Sequence, residues 1–165
     1  MSLEDNRREY DYGSLNRDSL LDDPFAQFEL WMKQALEANI QDPTAMSVAT
    51  VDRQGQPWQR MVLLKKFDSR GFVFYTNLES RKAVDIKQNS RVSLHFPWLQ
   101  LDRQVIIGGR AEPLSSAEVT EYFLSRPMES QLAAWASQQS AVISSRQVLE
   151  QRYNEFKEKF TANKI

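Results

Sequence analysis

The 165-residue sequence has no cysteine, one histidine (His95), five glycines and six prolines, and neither sign of charge is in excess. Each shortage closes a route. Without cysteine there is no disulfide framework, thiol nucleophile, zinc ribbon or iron–sulfur cluster. One histidine cannot furnish a two-histidine zinc motif, so no metal site is expected. Glycine stands at about 3%, below the usual ~7%. Gly13, Gly55, Gly71, Gly108 and Gly109 fit neither G-x-G-x-x-G nor the P-loop spacing. Any bound phosphate must therefore be held by side chains and helix ends. Lys+Arg is 21 against Asp+Glu 22, and the pI near 5.9 is not that of a general nucleic-acid binder. No apolar run approaches the ~18 residues of a membrane span. The start, Met1-Ser2-Leu3-Glu4-Asp5-Asn6, is polar and acidic, so a cytoplasmic protein is expected.

What is present reads as one α+β domain over residues 23–165, preceded by a polar arm, residues 1–22, that orders against a partner or ligand. Asp23-Pro24 is a helix start, and Phe25, Phe28, Met32, Ala35 and Leu36 follow at helical spacing. Strands are expected over Met46–Val51, Trp58–Lys65 and Phe72–Thr76, with turns at Asp52–Gly55 and Asp68–Gly71. Ser80–Asn89 reads as a short helix. Arg91–Phe96 alternates, with Val92, Leu94 and Phe96 on one side and His95 on the other. Gln104–Gly108 is a further strand; Gly108-Gly109 predicts a bulge or bend, and Arg110–Pro113 a continuation. Ser115-Ser116-Ala117-Glu118 opens a helix to about Ser125, where Arg126-Pro127 breaks it. Ser144-Ser145-Arg146-Gln147 is a second capping candidate, followed by the stripe Leu149, Tyr153, Phe156 and Phe160. Antiparallel strands with one inserted helix and flanking helices predict a curled sheet or small barrel. Trp98 and the Phe-rich stretches are expected in the core or at an interface rather than stacked on a cofactor.

Two groups of residues carry chemistry. Arg81-Lys82 stands in the first turn of the 80–89 helix, where the macrodipole disfavours cations. Free N–H groups plus two cations make an anion site, unless Glu79 and solvent merely compensate the charges. Tyr122, Arg126 and Ser130 are spaced by four. They share one face if the helix continues through Pro127, or one side of a bend if it does not. A phenol, a guanidinium and a hydroxyl together can grip a phosphate; the alternative is a solvated polar face. Gln104, Gln139 and Ser140 either read the edge of a heterocycle or are ordinary polar positions. His95 has no carboxylate partner in sequence and is not expected to be catalytic.

The runs Arg7-Arg8-Glu9-Tyr10, Arg60-Met61-Val62-Leu63-Leu64-Lys65, Phe74-Tyr75-Thr76-Asn77 with Ser80-Arg81-Lys82-Ala83, Phe96-Pro97-Trp98, Arg103-Gln104-Val105, Tyr122-Phe123 to Ser125-Arg126-Pro127, and Ser137-x-Gln139-Ser140 occur in one order. Each is weak; in sequence they resemble the pyridoxamine 5′-phosphate oxidase family of FMN enzymes, from about residue 7 to 160. The resemblance implies an antiparallel split β-barrel with flanking helices, working as a homodimer with FMN at the subunit interface. It implies that Arg60, Tyr75, Thr76, Arg81 and Lys82 hold the FMN phosphate and ribityl chain, and that Met61, Val62, Leu63 and Leu64 line the flavin. Gln104, Gln139 and Ser140 would reach FMN from the other subunit. Lys65, Tyr122, Arg126 and Ser130 would grip the substrate phosphate, and Arg7, Arg8, Glu9 and Tyr10 would fold over the substrate.

The implied reaction oxidises pyridoxamine or pyridoxine 5′-phosphate to pyridoxal 5′-phosphate with dioxygen, releasing hydrogen peroxide. The flavin carries the electron chemistry, and no side chain is assigned as catalytic. The family normally continues beyond this point with final strands, a Trp and an Arg that contact FMN, and an Arg-x-His motif. None of these is in the sequence, which ends Phe160-Thr161-Ala162-Asn163-Lys164-Ile165. The alternative expectation is therefore a catalytically impaired or non-catalytic protein that binds FMN and B6 phosphates. A third is a split-barrel relative acting on another flavin substrate.

Overall fold

A computed structural model describes Glu9, residues 13–137 and residues 139–162. Among these, helix α1 spans Pro24–Glu37, strands β1–β4 span Ala45–Val51, Pro57–Leu63, Lys66–Asp68 and Gly71–Val73, and α2 spans Arg81–Gln88. Strands β5 (Arg91–Trp98) and β6 (Arg103–Arg110) follow, then α3 (Ser116–Ser125), α4 (Met128–Ala136) and α5 (Arg146–Ala162). The expected α+β order of helix, strands with an inserted helix, then helices is present. The chain divides into two compact units. The first runs to Ala49 and includes Trp58–Tyr75 and Ser93–Gly109; the second comprises Thr50–Pro57, Thr76–Val92 and the chain from Arg110.

The four-stranded sheet has the order β2-β1-β5-β6, and β3 and β4 form a separate hairpin. Strands β1 and β5 pair antiparallel with Val48 opposite Leu94 and Ser47 opposite His95. Period-two alternation sends Met46, Val48, Leu94, Phe96 and Trp98 to the buried side. Within the first unit, Phe28 of α1 is the centre of that side. Its ring lies 4.9 Å from Phe67, 4.9 Å from Phe72, 5.1 Å from Phe96 and 5.8 Å from Trp98. Trp98 Nε1 donates to the Pro43 carbonyl at 2.9 Å, which satisfies the one polar atom of a buried indole. The Asp23 carboxylate accepts the Phe25 N–H at 2.9 Å and Pro24 opens α1, so this helix starts where its residues predict. Gln27 accepts the Leu21 N–H at 2.8 Å, which ties the end of the preceding segment to α1.

The turns also form at the expected residues. The Gly55 N–H bonds the Asp52 carbonyl at 3.0 Å, and Gly55 has φ +83°. In the β3–β4 turn the Arg70 side chain and then its N–H bond Asp68, holding that carboxyl below its usual range. Other boundaries differ. The strand expected over Trp58–Lys65 ends at Leu63, and Lys66 begins a new one. Lys65 lies between them and gives its N–H to the Val73 carbonyl at 2.8 Å, so the ladder changes partner there. The strand expected over Phe72–Thr76 is only Gly71–Val73. Strand β6 runs through Gly108 and Gly109 to Arg110, and the Ala111 N–H adds one bond to Ser90 at 2.8 Å. Helix α5 begins at Arg146, so Ser144 does not flank it.

Phe28→Ala removes the ring that four aromatic neighbours share. It should cost about 3–5 kcal/mol, read as a lowered midpoint in denaturant unfolding with an unchanged slope.

Candidate functional site

Within the second unit, the start of α2 is organised around polar groups. Ser80 precedes the helix in extended backbone (φ −65°, ψ 151°), and its hydroxyl makes no capping bond. It lies 3.2 Å from Thr76 Oγ1 instead. Thr76 Oγ1 donates to Gln139 Oε1 at 2.9 Å, which uses its one proton, so Ser80 is the donor in the Ser80–Thr76 contact. Lys82 is buried, at 7% exposure. Its Nζ donates to Thr76 Oγ1 at 3.1 Å and to Gln139 Oε1 at 2.9 Å. An ammonium withdrawn from water is costly unless its surroundings compensate it, and these two oxygens are among its partners. Beside it stands the helix terminus, whose first N–H groups lack a side-chain acceptor from the cap residue. Ammonium, hydroxyls and helix-end N–H groups form a donor set that suits a phosphate.

Arg81, next along, pairs through Nη2 with Asp52 Oδ2 at 3.3 Å. That carboxylate belongs to the β1–β2 turn, and it answers the cation rather than Glu79. Thr50, at the end of β1, donates to Asp85 Oδ2 of α2 at 2.8 Å, and both are buried. These two links hold α2 against the turn.

Also in the second unit, α3 and α4 are separate helices. Arg126 is extended (φ −74°, ψ 150°) and Pro127 precedes α4, so the helix does not run through Pro127 and the bend is the arrangement found. Tyr122 lies on α3, Arg126 at the bend and Ser130 in the first turn of α4, with its N–H on the Pro127 carbonyl at 2.9 Å. Buried Gln131 staples the bend: its Nε2 donates to the Leu124 carbonyl at 3.3 Å and the Arg126 carbonyl at 2.8 Å. The Arg126 guanidinium lies 5.9 Å from the Phe123 ring centre. Ser140, after α4, has φ +67° and is exposed.

The remaining candidates stand in the first unit. Arg60 Nη1 donates to the Val48 carbonyl at 3.3 Å and the Trp58 carbonyl at 3.1 Å. Met61 and Leu63 are exposed and Leu64 is buried; Val62 and Tyr75 are half-buried. Gln104 Oε1 lies 3.2 Å from His95 Nε2, so the lone histidine touches a candidate ligand-reading amide. Glu9 is exposed, and Arg7, Arg8 and Tyr10 lie outside the described residues.

The structure thus brings Thr76, Lys82 and Gln139 into direct contact within one chain and sets Tyr122, Arg126 and Ser130 around a bend. Sequence reading missed Asp52, Ser80 and Gln131 as site-supporting groups. The Asp-x-x-Gly turn pattern was a usable signal for the first, since such a carboxylate is fixed by its own turn.

The sequence model of the pyridoxamine 5′-phosphate oxidase family matches residues 32–160. A pyridoxine/pyridoxamine 5′-phosphate oxidase of Photobacterium profundum is 59% identical over 165 residues, covering 100% of this chain and 78% of that protein. One of Shewanella denitrificans is 60% identical over 163 residues, covering 99% of this chain and 77% of that protein. Among solved structures, PhzG from Burkholderia lata 383, in complex with tetrahydrophenazine-1-carboxylic acid, superposes with a TM-score of 0.82 at 26% identity, over 87% of this chain and 72% of that one. A pyridoxamine 5′-phosphate oxidase-related, FMN binding protein from Nostoc punctiforme PCC 73102 has the same fold, with a TM-score of 0.61 at 15% identity over 79% of this chain and 73% of that one. The fold is the α+β split barrel that the resemblance implied. The chain belongs to the pyridoxamine 5′-phosphate oxidase family. FMN is the cofactor of that family, and the donor set at the start of α2 suits its phosphate.

Lys82→Met removes the ammonium while keeping the length of the chain. Excess inorganic phosphate should raise the melting midpoint of the native chain by about 2–4 °C, the shift for ~1 kcal/mol in a domain of this size. The Lys82→Met protein should show little or none of that rise in the same thermal scan.

Proposed function

We propose that this chain is an FMN-dependent oxidase that converts pyridoxamine 5′-phosphate and pyridoxine 5′-phosphate to pyridoxal 5′-phosphate, with dioxygen as acceptor and hydrogen peroxide as product. The observation that carries the reading is the buried Lys82 ammonium, joined to Thr76 and Gln139 at a helix start. It is a phosphate cradle made without a glycine-rich loop. Arg60, Tyr75, Thr76, Arg81 and Lys82 would hold the FMN phosphate and ribityl chain, and Met61 to Leu64 would line the flavin. Gln104, Gln139 and Ser140 would reach FMN from the other subunit. When bound, FMN supplies a two-electron acceptor for hydride from the substrate C4′, and dioxygen returns it to the oxidised state.

The protein's own contribution is position and charge. Arg126 presents a cation at the bend that Gln131 fixes, with Tyr122 and Ser130 to either side of it, and these residues with Lys65 would grip the substrate phosphate. Glu9 with Arg7, Arg8 and Tyr10 would cover the substrate. We place the protein in the cytoplasm; no helix among the described residues is long and apolar enough to cross a membrane.

Purified protein reconstituted with FMN should be yellow and consume oxygen when given pyridoxamine 5′-phosphate. Arg126→Ala should lower kcat/KM roughly 10- to 100-fold, mainly through KM, as expected for loss of a charge-assisted hydrogen bond. Yellow protein without turnover would instead support the non-catalytic binding reading. Unchanged turnover of the phosphate substrates in Arg126→Ala would show that the grip lies elsewhere.

The same reading includes a homodimer. Met61, Leu63 and Ile106 project outward from the edge strands β2 and β6, at 58%, 43% and 66% exposure. A second copy covering these residues would place the flavin-lining strand at an interface. Sedimentation should give twice the chain mass, and Met61→Glu with Ile106→Glu should give the chain mass.

A further inference from the structure

We infer that Asp52, in the β1–β2 turn, is a positioning residue that aims the Arg81 guanidinium at the phosphate bound by the start of α2; this rests on the reading that FMN phosphate binds there. The carboxylate is itself fixed. Its Oδ1 accepts the N–H groups of Gln54 at 2.9 Å and Gln56 at 3.0 Å, and the Asp52 N–H bonds the Gln56 carbonyl at 3.0 Å. The side chain is only 13% exposed. Its other oxygen, Oδ2, is thereby presented to Arg81 Nη2 at 3.3 Å. Arg81 is half exposed, at 51%, so on its own its long chain would sample several rotamers.

The helix makes such a partner necessary. A cation in the first turn faces the positive end of the macrodipole and stands next to the Lys82 ammonium. Both act to turn the Arg81 side chain away from the site. The Asp52 carboxylate opposes them, and because a guanidinium is a rigid planar fork, engaging one nitrogen sets the directions of the other N–H groups. The β1–β2 turn is also held to α2 by the buried bond from Thr50, two residues before Asp52, to Asp85. The geometry is that of a preset anion clamp rather than a surface ion pair.

The test is Asp52→Asn, because asparagine keeps an oxygen for the Gln54 and Gln56 N–H groups and loses only the charge. Affinity is read by quenching of flavin fluorescence on the full chain, with FMN and with riboflavin, which lacks the phosphate. Asp52→Asn should weaken FMN roughly fivefold, the scale of a partly exposed pair, and leave riboflavin unchanged. In an Arg81→Ala background the same substitution should have no further effect on FMN. FMN binding that is unchanged or tighter in Asp52→Asn overturns the inference, since the carboxylate then neutralises Arg81 without aiming it. Equal losses for FMN and riboflavin also overturn it, by showing that the turn matters only structurally. So does a full effect in the Arg81→Ala background. A native chain that binds riboflavin as well as FMN would overturn the phosphate reading itself, and that result does not depend on Asp52.

Discussion

Lys82 carries an ammonium into a part of the second unit that water scarcely reaches. An ion in that position costs several kcal/mol unless its surroundings compensate, and the compensation must be oxygen atoms held at the correct distance. The hydroxyl of Thr76 and the amide oxygen of Gln139 take part in this, and because Thr76 gives its one proton to Gln139, Ser80 donates to Thr76. The same requirement fixes α2. If the helix shifted by a turn, the ammonium would lose both oxygens and Asp85 would lose Thr50. The candidate site and the local structure of this unit therefore depend on one constraint, the satisfaction of a buried charge.

In the first unit the governing term is different. Phe28 gathers Phe67, Phe72, Phe96 and Trp98 on the buried side of the sheet, and burial of these rings supplies most of the stabilisation there. A sheet so well supplied on one face can leave apolar residues on the other. Met61, Leu63 and Ile106 stand out from alternating strands whose neighbours Val62, Val105 and Ile107 are half-buried. Outward apolar residues on two edge strands belong to a surface that has a further use. His95 and Gln104 share that side, 3.2 Å apart.

How much of this was legible in the sequence follows from the range over which each feature is determined. Asp23-Pro24, Asp52–Gly55, Asp68–Gly71 and Ser115 with Glu118 are local signals, and each element starts or turns where they stand. The conflict of Arg81-Lys82 with the macrodipole is a local signal as well, which is why these two residues stood out in the sequence. The division of Trp58–Lys65 was not readable. Its apolar run continues through Leu64, and the break arises because the Lys65 N–H finds Val73 rather than a partner in the sheet. Gln131 looked like any polar residue in a helix; its role appears only once its amide reaches back to the carbonyls of Leu124 and Arg126. Arg60 and the residues after it carried the family likeness, yet nothing local in them indicated Arg60's bonds to the Val48 and Trp58 carbonyls.

The scarcity of glycine has a consequence for how such a site behaves. Glycine-rich loops hold phosphate with consecutive main-chain N–H groups, so most of the recognition lies within one short segment. Here Gly55, with φ +83°, and Gly71, with φ +145°, stand at turns, and Gly108 and Gly109 lie in β6. On the function proposed, anion recognition would pass instead to side chains drawn from distant positions. Lys82 and Gln139 are 57 residues apart, and Arg81 and Asp52 are 29 apart. No local peptide can reproduce that set; it exists only when the second unit is folded. Whatever binds it binds the folded chain and not the unfolded one, so occupancy and stability are linked by mass action. Substitutions that loosen Gln139 or Asp52 thus act on ligand affinity and on folding through the same contacts, and only a comparison of ligands with and without the phosphate separates the two effects.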